Sequence, residues 1–150
     1  MSLRRPALNL VNQSQVRMPR LWLQSVFVEI DGHLRKAKTP GWAQVCEAEL
    51  VIVWLNPGPA RILNQKYRRK NYATDVLSFT AETGLGELVM CPQVLKRQAR
   101  EHGLSFRDEL SYMILHGILH LLGFDHEGSK SQAAQMFALQ DRIFAQLTQR

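Results

Sequence analysis

At 150 residues, with 45% hydrophobic and 21% charged side chains, the chain is long enough to bury a core and too apolar for disorder. Its apolar runs fall well short of a bilayer span, and the opening MSLRRPALNL has two arginines but no apolar stretch after them, so neither a transmembrane segment nor a secretory signal is expected. Lys and Arg outnumber Asp and Glu by 19 to 13, a net charge of +6 that favours an anionic partner, nucleic acid first and an acidic membrane surface second.

No repeat, low-complexity stretch or Gly/Ser linker divides the chain, which reads as one domain over 1–150. Residues 7–12 suggest a first strand. Pro19 suits the first turn of a helix running to about Lys36, although its apolar stripe is loose. Thr39-Pro40-Gly41 ends that unit. The β-branched run AELVIVWL, 48–55, predicts a buried strand. Asn56-Pro57-Gly58-Pro59 reads as a turn, with a short helix over 59–67. DVLSFTA (75–81) and LGELVMC (85–91) read as two strands joined by a tight hairpin at Glu82-Thr83-Gly84. Pro92 opens a helix to about His102, stopped by Gly103. Ser105 is a good N-cap for a helix over 106–122, with Asp108 in the capping-box position and Gly123 as the stop. A last helix over about 131–149 carries Ala133, Met136, Phe137, Ile143, Phe144 and Leu147 as its apolar stripe. The expected fold is α/β or α+β, about five helices packed with a small mixed sheet of about four strands. Cys46 and Cys91 read as buried, reduced thiols in a cytoplasmic protein, with a disulfide or an extra metal ligand as the alternatives.

The run HGILHLLGFDH holds three of the five histidines. Positions four apart on a helix differ by about 40° in azimuth and about 6 Å in height, so His116 and His120 share a face, as two imidazoles on one metal must. His126 lies about 240° further round a straight helix, so the chain has to stop and turn back. Gly123 stands where it would do so. The surrounding helix is apolar on most sides, and a buried imidazole without a partner costs about 1–3 kcal/mol. Three together call for a common partner. Three His ligands leave one tetrahedral position open, which makes the site catalytic in type. Zinc suits neutral imidazoles, with nickel or cobalt as substitutes, and zinc lowers the pKa of a bound water to about 7. Asp125 has two readings, as a carboxylate that orients an imidazole or as the cap of its own turn. The spacing also occurs in zinc peptidases with the pattern H-E-x-x-H-x-x-G-x-x-H, but here Gly117 replaces the Glu that serves as their general base. Glu109 lies about 10 Å up the helix axis, too far to substitute.

The segment RILNQKYRRK has five cations and no acid: Arg61, Lys66, Arg68, Arg69 and Lys70. Tyr67 and Tyr72 are interleaved. Such a segment suits phosphate contacts with ring faces for unpaired bases. Beside a hydrolytic metal site, an arginine supplies charge where a phosphodiester develops it.

These two motifs resemble those of the YbeY family of bacterial metal-dependent endoribonucleases. The histidine run matches that family's signature. LNQKYRRKNYATDVLSF, 63–79, is similar to its LN-x-x-YR-x-KD-x-PTDVLSFP, and LGELVMC to its LGDI-type strand. The resemblance spans nearly the whole chain. It implies single-strand-specific RNA cleavage, 16S ribosomal RNA 3′-end maturation and ribosome quality control. The partners it implies are ribosomal RNA and the small ribosomal subunit with its proteins, without membrane or DNA. It carries over His116, His120 and His126 as zinc ligands and Arg68 as the basic catalytic residue beside His116. Three positions depart from the pattern: Asn71 replaces Asp, Ala73 replaces Pro, and Thr80 replaces the Pro after Ser-Phe. Two rival readings are a metallopeptidase or amidase, marked by turnover of peptides, and a non-catalytic ribosome-assembly factor, marked by a zinc with no open position.

Overall fold

In the computed structural model, which describes residues 4–125 and 127–149, four strands form one mixed sheet in the order β1-β2-β4-β3. The strands are β1 (Ala7–Asn12), β2 (Glu49–Trp54), β3 (Val76–Ala81) and β4 (Gly84–Met90). β1, β2 and β4 run parallel, and β3 pairs antiparallel with β4 at one edge of the sheet, with β1 at the other. Five helices accompany them: α1 (Arg20–Lys36), α2 (Pro57–Arg68), α3 (Pro92–His102), α4 (Phe106–Leu121) and α5 (Lys130–Leu147). The architecture is the small mixed sheet with helices that the sequence leads one to expect.

β2 alternates because one of its faces is buried more deeply than the other. Leu50, Ile52 and Trp54 of β2 are almost fully covered, and Leu88 and Met90 stand beside Ile52 and Trp54 in register. The face they share carries α4, whose residues Leu110, Ile114, Leu115, Ile118 and Leu119 are at most 1% exposed. α3 and α5 pack against α4, and α1 packs on β1 and α5. α4 is therefore the central helix of the layer, which explains why it is apolar on most sides.

The hairpin is as tight as its residues suggest, with Ala81 paired to Gly84 across Glu82-Thr83. Gly86 then passes the β3 backbone so closely that a Cβ there would meet the Phe79 carbonyl oxygen at 2.0 Å, with φ at +149°. Boundaries shift elsewhere. The segment expected as a turn at 56–59 is the first turn of α2, with Pro57 where a missing N–H costs nothing. The Asn56 side chain leaves the helix uncapped and accepts instead from Gln15 N and Gln93 Nε2, at 2.9 and 2.8 Å. α5 begins one residue before the expected Ser131, on a full capping box of Ser129 and Gln132. Cys46 and Cys91 are both unpaired thiols, but Cys46 is only half-buried.

α4 is held at both ends. Ser105 Oγ accepts from Asp108 N at 3.1 Å. At the far end Phe124 N reaches Leu119 O and Gly123 N reaches His120 O, both at 3.0 Å, the paired bonds of a Schellman stop. Gly123 takes φ +97°, as that motif requires. Near its start, α4 carries Glu109, 1% exposed, whose carboxylate oxygens lie 3.0 and 2.9 Å from His102 Nδ1 at the end of α3. The hydrogen bond to Glu109, and then its charge, hold the His102 imidazolium above the usual histidine pKa.

Two expectations follow from these contacts. A folded-state pKa raised above the unfolded value near 6.5 gives stability that is complete below about pH 6.5 and lost as pH rises through the folded value. Melting curves taken between pH 5.5 and 8.5 should show that loss in the wild type and its absence in His102→Gln; parallel curves would refute the linkage. The second concerns Gly117, where a Cβ would lie 2.5 Å from Leu88 Cδ2 and 3.2 Å from Leu88 Cγ, in a side chain that is itself fully buried. Gly117→Glu should cost about 3 kcal/mol or more in urea unfolding, from overpacking and a buried carboxylate together. Wild-type stability in that variant would show that the helix can back away.

Candidate active site

With Gly117 pressed on the sheet, positions 116 and 120 turn toward a cleft of about 690 Å³ beside the edge strand. One wall is the segment 72–79, which includes the exposed part of β3. Tyr67 and Arg68 enter from the end of α2, and Arg97 and Gln98 from α3. A hollow of similar size, about 700 Å³, lies between the end of α1 and Trp42 and contains no histidine.

His116 and His120 are half-buried, their ring centroids 4.6 Å apart and their planes 74° to each other. Their Nε2 atoms face each other at 3.1 Å. Two nitrogens on one tetrahedral zinc, each about 2.0–2.1 Å from it, stand about 3.3 Å apart. The pair therefore already has nearly the spacing that one divalent ion requires, and the donor set is chemically right for zinc. Among the described residues no three His, Cys, Asp or Glu side chains converge. His126, the third expected ligand, lies outside the described residues.

Behind the pair, His116 Nδ1 is 3.0 Å from Gln140 Oε1 on α5. A carbonyl oxygen only accepts, so with Oε1 facing the ring this contact calls for the proton on Nδ1, the tautomer that leaves a lone pair on Nε2. In this state His120 Nε2–H donates to His116 Nε2. Sequence reasoning did not find Gln140, although a signal existed. It is completely buried in a helix whose other buried positions, Met136, Ile143 and Leu147, are apolar. An amide in such a stripe needs a partner.

Asp125 is exposed, and its Oδ1 accepts from Glu127 N at 2.8 Å, so it caps the turn that follows α4. Arg68 projects into the cleft, where Nη2 lies 3.9 Å from Glu127 Oε1. Tyr67 sets its ring edge-on to Phe79 at 5.0 Å, and Lys66 Nζ lies 5.2 Å from the Tyr67 centroid. Arg61, Arg69 and Lys70 are exposed and do not line the cleft. The basic segment thus divides: Tyr67 and Arg68 reach the site, and its other cations stand on the surface around it.

What directs Arg68 inward is the way α2 ends. Arg69 takes a left-handed conformation, φ +57°, unusual for a residue with a side chain, and the chain reverses there. Asn64, fully buried, donates through Nδ2 to Tyr72 O at 2.8 Å and ties the returning loop to the helix. Ala73 lies in that loop and lines the cleft, Asn71 is exposed beside it, and Thr80 is exposed at the hairpin. None of the three departures from the family pattern touches the histidine pair.

The chemistry these groups allow is metal-assisted hydrolysis of an anionic substrate. Peptide hydrolysis by the H-E-x-x-H route has no place for its base, because position 117 faces Leu88 in the core and not the cleft.

Comparison with known proteins gives the family and the fold. The family model described as Endoribonuclease YbeY matches residues 12–148. A protein named endoribonuclease YbeY from Bdellovibrio bacteriovorus is 48% identical over 141 residues, covering 90% of this chain and 91% of the relative. One of the same name from Staphylococcus saprophyticus is 38% identical over 129 residues, covering 78% and 83%. The solution structure of TM1509 from Thermotoga maritima superposes with a TM-score of 0.65 at 25% identity, covering 93% of this chain and 88% of that one. The chain belongs to the endoribonuclease YbeY family.

Proposed function

We propose that this protein is a zinc-dependent endoribonuclease that cuts single-stranded ribosomal RNA, and that it works on the small ribosomal subunit at the 3′ end of 16S RNA. The observation that carries the reading is the His116–His120 pair, with Nε2 atoms 3.1 Å apart in a cleft that Arg68 also lines. Family membership supports the endoribonuclease activity. Among the described residues no helix is long and apolar enough to cross a membrane, which suits the cytoplasmic location that a ribosomal substrate requires. One main core cluster, drawn from β1-flanking residues through α5, supports treating residues 1–150 as one functional domain.

His116, His120 and His126 would hold the metal. When bound, the ion supplies Lewis acidity and a nucleophile at neutral pH. The chain's own groups do the rest. Arg68 offers two parallel N–H donors to a phosphate and stabilises charge as it builds on the non-bridging oxygens. To do so it exchanges the long contact with Glu127 for the substrate. Tyr67 and Tyr72, both more than half exposed, give faces on which unpaired bases can stack, which a paired duplex cannot use. Lys66, Arg69 and Lys70, and Arg61 on the outer surface of α2, draw the RNA in through longer-range attraction.

Metal-quantified protein incubated with single-stranded and duplex RNA of the same sequence provides the test. The single strand should be cut and the duplex spared. Arg68→Ala should lower the cleavage rate about 10²–10³-fold, the usual loss for one donor to a developing anion, with zinc content near wild type. His116→Ala should lose both zinc and cleavage. Full activity in metal-free His116→Ala would overturn the mechanism, and RNA binding without cleavage by the zinc-loaded wild type would overturn the enzymatic reading.

A further inference from the structure

We propose that Gln140, on α5, is a positioning residue for the metal site: its carbonyl holds the His116 proton on Nδ1 and so keeps Nε2 available as a ligand. The inference rests on the zinc reading for its purpose, but its geometry stands without it. Gln140 is completely buried, and its Oε1 is 3.0 Å from His116 Nδ1. Its Nε2 is also buried and has no hydrogen-bond partner among the described residues.

An imidazole has one lone pair when neutral, and only the unprotonated nitrogen can bind a metal. Left to solvent, His116 would place its proton on either nitrogen and would spend part of its time with Nε2 blocked. A buried acceptor on the Nδ1 side removes that choice. The opposite orientation of the carboxamide would turn an N–H toward Nδ1. That would force the ring proton onto Nε2, against His120. The orientation seen leaves the amide NH₂ unsatisfied, at a cost of about 1–3 kcal/mol. A carboxamide is also an economical choice. It accepts from Nδ1–H as a carboxylate would, without burying a second charge beside the core.

The variants Gln140→Met and Gln140→Glu separate the possibilities. Methionine keeps the length and volume but offers only a weak acceptor, whereas glutamate keeps the acceptor. Imidazole ¹⁵N shifts of the metal-free proteins read the tautomer directly, and competition against a chromogenic chelator reads zinc affinity. Circular dichroism confirms that each variant is folded. Wild-type His116 should carry its proton on Nδ1. Gln140→Met should move it wholly or partly to Nε2 and weaken zinc binding about 10–100-fold, the usual effect of losing such a partner. Gln140→Glu should restore the Nδ1–H form and at least wild-type affinity. A wild-type His116 with its proton on Nε2 would overturn the proposal without any variant, should Gln140→Met not fold. An unchanged tautomer and affinity in Gln140→Met would overturn it too. If the wild type binds zinc no better than His116→Ala, the zinc reading fails, while the tautomer shift still decides whether Gln140 orients the ring.

Discussion

The contact between Gly117 and Leu88 sets the rotation of α4, and nearly everything at the site depends on that rotation. A buried helix with apolar residues on most sides has no single preferred face. The absence of one side chain breaks the tie, because only at Gly117 can the helix backbone come down onto the leucine of β4. Turning α4 by one residue would send His116 and His120 elsewhere and lift the helix off the sheet. The same packing thus builds the core and points the imidazoles at the β3 edge.

Around that fixed helix, the other parts of the site arrive separately. α2 supplies Arg68 only because its end is bent by the left-handed Arg69 and tied by buried Asn64. α5 supplies Gln140 from behind. The electrostatics are layered in the same way. Arg68 and Arg97 line the cleft, while most of the basic segment lies outside it. At physiological salt, where screening acts over about 8 Å, those outer cations guide an approaching strand more than they grip it.

Much of this could be read in the sequence, and the reasons differ by residue. The four strands and five helices were legible because their periodicities are local, and Gly123 was legible because few residues end a helix as it does. The histidine pair could be read from spacing alone, since four residues on a helix determine a face. Gly117 carried a negative message, the lack of a catalytic Glu, whereas its packing role against Leu88 depended on which strand would lie beneath it. The first turn of α2 reads as a turn because Asn-Pro-Gly-Pro is strong turn chemistry, whereas the structure starts a helix there, with Ala60 N bonded to Asn56 O at 3.0 Å. Gln140 lies 24 residues from its partner, and the sequence showed only a gap in an apolar stripe. The two candidate roles of Asp125 could not be separated by spacing, because both use the same short carboxylate.

Chain order gives the hydrogen bond from His116 to Gln140 a meaning in time. Synthesis delivers about 5–20 residues per second, and a domain generally folds as a unit. The sheet and α4 precede α5, so both imidazoles emerge well before the residue that orients one of them. A chain still missing α5 carries His116, His120 and Arg68 but lacks the carbonyl behind His116. It also leaves exposed the side of α4 that α5 covers. The contact behind His116 can therefore form only once α5 has been made, which sets a lower limit on how much of the chain must exist before that ring is oriented.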